Sequence, residues 1–272
     1  MIIDAFPFFQ EIELLKVRLE YLGETVDKFL ISESEIDFAG NNKQVILNKR
    51  CIDTLPYKHK VIVVQNKHSQ ILKKIIYPLA KKLRWRKPLW GIQLKQRNSL
   101  VKIIKRFDHK DILLFGDLDE FPNADQIENL KSLVSENPKK IYTFNQTSLV
   151  YNIYNKDENP IWRGTVACSI KKAVKTTPNS LRKQRHFSKM AANGWHFSYF
   201  GSNSQIQNKI RSVALVEKHF DLLNPSINDV ESKIASKNNP FQSRASEGIK
   251  ISKEDYPEKL ISAFNKFMPK SI

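Results

Sequence analysis

Four short apolar runs alternate with amphipathic stretches in the first half of the chain, and this order constrains the fold more than any single motif. The runs are IIDAF at 2–6, VDKFLIS at 26–32, VIVVQ at 61–65 and DILLF at 111–115. Between the first two, Glu11 to Leu22 places Ile12, Leu15, Leu19 and Leu22 on one helical face, and Gly23 stands where such a helix would end. Ile92 to Phe107 reads as a helix buried through Leu100, Ile103, Ile104 and Phe107. Ala124 to Val134 reads as another, with Asn123 as its N-cap. Strands alternating with helices predict an α/β fold, a mostly parallel central sheet flanked by helices. After about residue 140, YTFNQTSLVYNIY alternates imperfectly, as a mixed or antiparallel region would. A last helix is expected over Glu258 to Phe267, and 222–256 reads as surface helix and loop.

The 272 residues are 41% hydrophobic, enough for a substantial core in a single domain. The apolar runs are too short to span a bilayer. The start MIIDAFPFFQEIE lacks a basic n-region, so a secretion signal is not expected and the expected location is cytoplasmic. Cys51 and Cys168 show no CxxC or zinc spacing and read as packed thiols. The formal net charge of +17 is unevenly spread. No acid occurs between Glu158 and Glu217, a stretch that contains Arg163, Arg182, Arg185 and Lys209, and KKLRWRK at 81–87 forms a second basic cluster. Such fields attract nucleic acid, anionic head groups or phosphorylated small molecules, the plain alternative being a solvated lysine-rich surface.

Ligands of open α/β sheets bind beyond the carboxyl ends of the strands. Two polar clusters fall there: Glu33–Ser34–Glu35 after the second run, and Asp117–Leu118–Asp119–Glu120 after ILLFG. Paired carboxylates at a strand end can hold a hard divalent cation, whose other positions go to water and phosphate oxygens. A capping, loop-solubilising cluster explains the same spacing, and both readings stand at this point.

Five blocks in order, DAFPFF (4–9), VDKFLISES (26–34), LKQRNSL (94–100), GDLDEFP (116–122) and GWHFSYFG (194–201), resemble the pattern of glycosyltransferase family 17. Its best-known members are β-1,4-mannosyl-glycoprotein β-1,4-N-acetylglucosaminyltransferases. The resemblance covers roughly residues 2–220. It implies a GT-A-like nucleotide-binding fold, a nucleotide-sugar donor, with UDP-GlcNAc expected, and inversion at the anomeric carbon. It also implies Mn²⁺ or Mg²⁺ on Asp117, Asp119 and His196, and donor contacts from Glu33, Ser34, Gln96, Arg97, Asp117 and His196. For the general base it leaves Glu120, Asp157, Glu158 and Glu217, with Glu217 and Glu120 foremost. Without the resemblance, His196 reads as a histidine packed between Trp195 and Phe197. One departure is Leu215, where relatives carry a histidine shortly before the glutamate that Glu217 matches.

The expectation is therefore an inverting, metal-dependent glycosyltransferase acting on a glycan or lipid-linked glycan acceptor. It would be one domain over 1–272: a nucleotide-binding half at 1–135, an acceptor and catalytic half at 136–220 and a helical extension at 221–272. The acid-free segment would either make peripheral contact with the inner face of an anionic membrane or balance the donor's charge. The competing readings are a basic nucleic-acid-binding protein, motivated by a pI of 9.7 and RWRKPLW at 84–90, and a metal-dependent phosphohydrolase. The chain lacks a recognised nucleic-acid signature, so specific nucleic-acid binding is not expected. A metal-independent glycosidase is the remaining option.

Overall fold

Strand β1, Ile2–Phe8, shows why the sheet forms. Its side chains alternate between two faces, as the two-residue period of a strand requires. Ile2, Phe6 and Phe8 enter one hydrophobic cluster with Phe29, Ile31, Ile112 and Leu114. Ile3 and Ala5 enter the other, with Leu30, Leu113 and Phe115. Helix α1, Ile12–Leu22, covers the first face beside the helices Ala124–Glu136 and Glu258–Phe267. Leu100, Ile104, Ile170 and Leu181 cover the second.

The computed structural model describes residues 1–214, 225–236, 240 and 252–272, with backbone only at 158–160 and 214. Eight strands form one sheet in the order β3-β2-β1-β4-β7-β6-β8-β5. These are β2 (Lys28–Ser34), β3 (Val61–Asn66), β4 (Ile112–Phe115), β5 (Glu120–Pro122), β6 (Tyr142–Val150), β7 (Lys156–Ser169) and β8 (Lys189–Ser198). Strands β3, β2, β1 and β4 run parallel. Beyond them β7 is antiparallel to β4 and β6, β6 is parallel to β8, and β5 is antiparallel to β8. The mostly parallel sheet with a mixed second half is thus present as the alternation of runs predicts.

Local details differ from expectation. The helix expected over 92–107 begins earlier, at Arg86, and breaks at Leu100 into Arg86–Ser99 and Val101–Ile104. Gly23 takes an ordinary right-handed conformation, not a left-handed cap. Its lack of a side chain is needed because a Cβ would stand 2.2 Å from the Tyr57 ring. Asn123 caps its helix as expected, accepting from the Asp125 amide. The C-terminal helix is built into the main core: Phe264 meets Phe197 edge-on, and Lys259 and Lys266 pair with Glu24 and Glu20 of the α1 region. Cys51 and Cys168 are free thiols, and burial pushes Cys168 up to about 12. Among the described residues no helix is long and apolar enough to cross a membrane.

Candidate active site

The loop between β4 and β5 carries the acids, and a buried arginine fixes its backbone. Arg18 of α1 is fully buried and donates from Nε and Nη2 to both carboxylate oxygens of Asp4, each at 2.8 Å. Asp4 lies among apolar neighbours on β1, so this pair replaces the hydration that each charge loses. The remaining nitrogen, Nη1, donates to the carbonyls of Leu118 at 2.9 Å, Glu120 at 2.7 Å and Asp117 at 3.3 Å. Three carbonyls of a sharply turning loop thus find one planar donor. Gly116 opens the loop because a Cβ there would meet Thr165 Oγ1 at 2.6 Å and Glu120 Oε2 at 2.7 Å.

The short ladder between β5 and β8 sets the next piece. Glu120 stands opposite His196, and the Phe197 amide donates to the Asp119 carbonyl at 2.8 Å. His196 Nε2 consequently lies 3.7 Å from Asp119 Oδ1. The imidazole stacks on Trp162 with centroids 4.6 Å apart, and Nε2 lies 3.1 Å from Ser198 Oγ. Burial holds the His196 pKa down against the pull of Asp119, which favours the neutral ring.

Cations arrive from four separate elements. Arg97, on helix Arg86–Ser99, donates to both oxygens of Asp117 at 3.2 and 3.3 Å. Arg182, on helix Pro178–Lys183, bonds Asp117 and reaches Glu120 at 3.2 Å. Arg185, in the turn that follows, lies over the Trp162 ring at 4.6 Å and contacts Glu120 at 3.4 Å. Lys209, on helix Asn203–Ala214, bridges Asp119 at 2.8 Å and Glu11 at 2.9 Å. Burial alone would raise the Asp117 carboxyl, but Arg182, Arg97 and Arg185 hold it well below the usual range. Asp119 is held low against its burial by Lys209 and His196. Burial and the neighbouring Arg182 bring Arg185 down to about 10.

These groups line a cleft of about 650 Å³ with an aromatic rim that includes Phe9, Phe38 and Trp90. Asp117, Asp119, His196 and Arg97, expected from the sequence, come together here. Other expected residues do not line it. Glu33 is fully buried and accepts the Ile46 and Leu47 amides at 2.8 and 2.9 Å, with Lys43 at 3.0 Å. Ser34 accepts the Ile36 amide and lies 3.3 Å from His68 Nε2. Gln96 donates to the carbonyls of Phe8 and Ser32 at 2.9 and 2.8 Å, closing the ends of β1 and β2. Glu120 is fully buried beneath the cleft and bonded by Trp162 Nε1, the Asp117 amide, Arg182 and Arg185. Asp157 accepts from Ser148 at 3.3 Å. Glu217 and the side chain of Glu158 lie outside the described residues.

The sequence did not mark out Glu11, Trp162 or Arg18. For Arg182, Arg185 and Lys209 the acid-free stretch was the signal, and its destination is the cleft. The described residues contain no group of three or more His, Cys, Asp or Glu placed to hold a metal ion. Asp117 has both oxygens occupied by guanidinium groups, whereas Asp119, with Oδ2 on Lys209, still presents Oδ1 beside Nε2 of the neutral His196, 3.7 Å away.

No curated relative matches the sequence. Solved structures of similar trace include S. aureus TarS 1–349, 10% identical over 99% of this chain and 80% of that one, with a TM-score of 0.39. They also include galactosyltransferase LgtC in complex with donor and acceptor sugar analogs, 10% identical over 86% and 70%, with a TM-score of 0.35. GalNAc-T7 with UDP, GalNAc and Mn²⁺ is 9% identical over 88% and 58%, with a TM-score of 0.42. Likenesses this remote assign no ligand to this chain. The sequence profile of glycosyltransferase family 17 matches residues 1–235. With five motif blocks in order and that match across most of its length, the chain belongs to glycosyltransferase family 17 and is a glycosyltransferase.

Proposed function

We propose that the cleft binds a nucleotide-sugar donor, UDP-GlcNAc by family resemblance, and transfers its sugar with inversion to a hydroxyl of a glycan or lipid-linked glycan. The observation that carries this reading is the convergence of Arg97, Arg182, Arg185 and Lys209 on Asp117, Asp119 and Glu120 beyond the carboxyl end of β4. Planar guanidinium groups match phosphate oxygens bidentately. Arg97 Nε, buried without an acceptor in the structure, adds a donor that a phosphate would satisfy. The aromatic rim suits a base and sugar.

In the transfer, an acceptor hydroxyl oxygen bonds to the anomeric carbon as that carbon's bond to the β-phosphate oxygen breaks. The electron pair departs with the diphosphate, and the hydroxyl proton passes to a carboxylate. Arg97, Arg182 and Arg185 orient the diphosphate and stabilise the charge that develops on it. Glu120, saturated by donors below the cleft, acts as a positioning residue for those arginines, which leaves Glu217 as the other foremost candidate for the base. Five cationic side chains and three carboxylates line the cleft, with the Glu120 carboxylate directly behind. A doubly charged diphosphate therefore tips the local balance negative. A divalent Mn²⁺ or Mg²⁺ ion supplies the missing positive charge when bound, and Asp119 and His196 are the residues that would hold it. The division into 1–135, 136–220 and 221–272 within one domain is part of the same reading, supported by the single sheet.

The test is a melting series with nucleotide sugars, with and without Mn²⁺. A donor at a hundred times its dissociation constant raises stability by about 2.7 kcal/mol. If no nucleotide sugar shifts the melt with or without the metal, the reading is wrong.

A further inference from the structure

Away from the cleft, one surface departs from an ordinary solvated face. The π-helical turn Leu72–Ile76 runs into helix Tyr77–Lys82, and the apolar residues of this segment occupy two sides. Leu72, Ile76 and Ala80 pack inward with Leu89 and Ile92 of the following helix. Ile71, Ile75, Leu79 and Leu83, spaced four apart, face out and are 66, 58, 44 and 62% exposed. Trp85, Trp90 and Leu94 extend the strip along the next helix. Seven of the thirteen large hydrophobic side chains exposed among the described residues fall in these 24 positions, a concentration that isolated surface leucines do not produce.

The charge around the strip has one sign. From Thr54 to Phe107 the chain has no Asp or Glu. Lys74, Lys81, Lys82, Arg84 and Lys87 are exposed beside the apolar ladder. An apolar ridge with a basic rim and tryptophans beside it is the composition of a helix that lies in a bilayer interface. A second copy of the chain would set this rim against an identical one, and nucleic acid has no use for an Ile/Leu ladder.

We infer that residues 71–94 form a docking face for an anionic bilayer surface, with the apolar ladder at the acyl boundary and the lysines and arginines among the head groups. The inference rests on the proposed function for its purpose. Trp90 belongs both to the strip and to the cleft rim, so docking sets the cleft mouth beside the membrane. The acceptor class that fits is a glycan carried on a lipid. Of the basic residues between Glu158 and Glu217, for which membrane contact and balance of the donor's charge are the two expected roles, Arg182, Arg185 and Lys209 are turned into the cleft.

The test is co-sedimentation of the full chain with phosphatidylglycerol-containing vesicles, against phosphatidylcholine vesicles, at low and physiological salt. Wild type binds the anionic vesicles, less so as salt rises. Leu79→Glu/Leu83→Glu, both at exposed positions outside the cleft, lowers vesicle affinity by about a hundredfold while melting temperature and the donor-induced melting shift stay unchanged. Absence of wild-type binding at low salt, or equal binding by the double variant, overturns the inference. So does a vesicle-free dimer that the double variant dissociates, or vesicle-independent RNA binding that it abolishes. The donor-induced shift in the same preparations reports on the cleft separately, so loss of one reading leaves the other measurable.

Discussion

Residues 117–120 are gripped from two sides by two sets of cations that do opposite work. Below, Arg18 holds the backbone through three carbonyls and is itself closed by Asp4, out of reach of water. Above, Arg97, Arg182, Arg185 and Lys209 hold the carboxylates and line an open cleft. The lower set has its hydrogen bonds committed within the fold. The upper set is held by groups that a ligand can compete with. The difference teaches that an arginine's role follows from what it bonds: carbonyls and a private carboxylate make a scaffold, whereas shared carboxylates at a cavity wall leave the cation within reach of a ligand.

Four measurements would break or sharpen that contrast. The largest effect belongs to Arg18→Met, which strands Asp4 and three loop carbonyls and should cost about 3–5 kcal/mol in denaturant unfolding. A loss below about 1 kcal/mol, the worth of a surface pair, would erase the distinction between the two sides. Next, Asp119→Asn should lower stability far less than Arg18→Met, because Glu11 still pairs Lys209, while transfer from UDP-GlcNAc falls at least about a hundredfold, some 2.7 kcal/mol in the barrier. Turnover within about threefold of wild type would remove the upper side from the chemistry. Third, Arg182→Lys keeps the charge and loses the planar fork, so titration calorimetry should show donor binding weaker by about tenfold, about 1.4 kcal/mol.

The smallest effect is a pH response outside the loop. Burial, with Lys95 nearby, brings His68 down to about 4, and the ring bonds Tyr77 Oη at 2.7 Å. The folded state thus favours the neutral ring, and the unfolded chain takes up the proton first as pH falls from about 6.5 to 4. Stability is fully present above that window and falls through it by about 1 kcal/mol after allowance for screening. His68→Gln should flatten this slope. Asp117 and Asp119, whose pKa values lie low, contribute stability above the ordinary carboxylate range that is lost only below it. Acid loss that begins near pH 6.5 and survives the substitution would mean the loop is less firmly held than its ion pairs imply.

Much of the sheet was legible because β1 to β4 concentrate their apolar residues in short runs, and the DLDE loop could be placed from the end of ILLF. The second half was harder to read. KDENPIWRGTVACS carries charges and a proline in what is a long strand, which hides the two-residue period. Glu33 illustrates a limit at the site: an acid closing a parallel strand looks ligand-bound, yet the backbone amides of its own crossover claim it. Arg18 and Asp4 are illegible for a different reason. Each reads as an ordinary polar residue in its element, and only the meeting of α1 with β1 turns both inward. The exposed ladder at 71–83 has helical spacing, but spacing does not reveal which of two apolar stripes finds a partner.

The closed pairing of acids and cations in the cleft has a kinetic corollary. If the cleft takes the diphosphate proposed above, arrival would be largely a trade of partners: phosphate oxygens would displace carboxylates from arginines and a lysine that those carboxylates already hold. The same carboxylates would then reclaim those cations once the sugar had gone, so the walls that admit the diphosphate would also help to expel it.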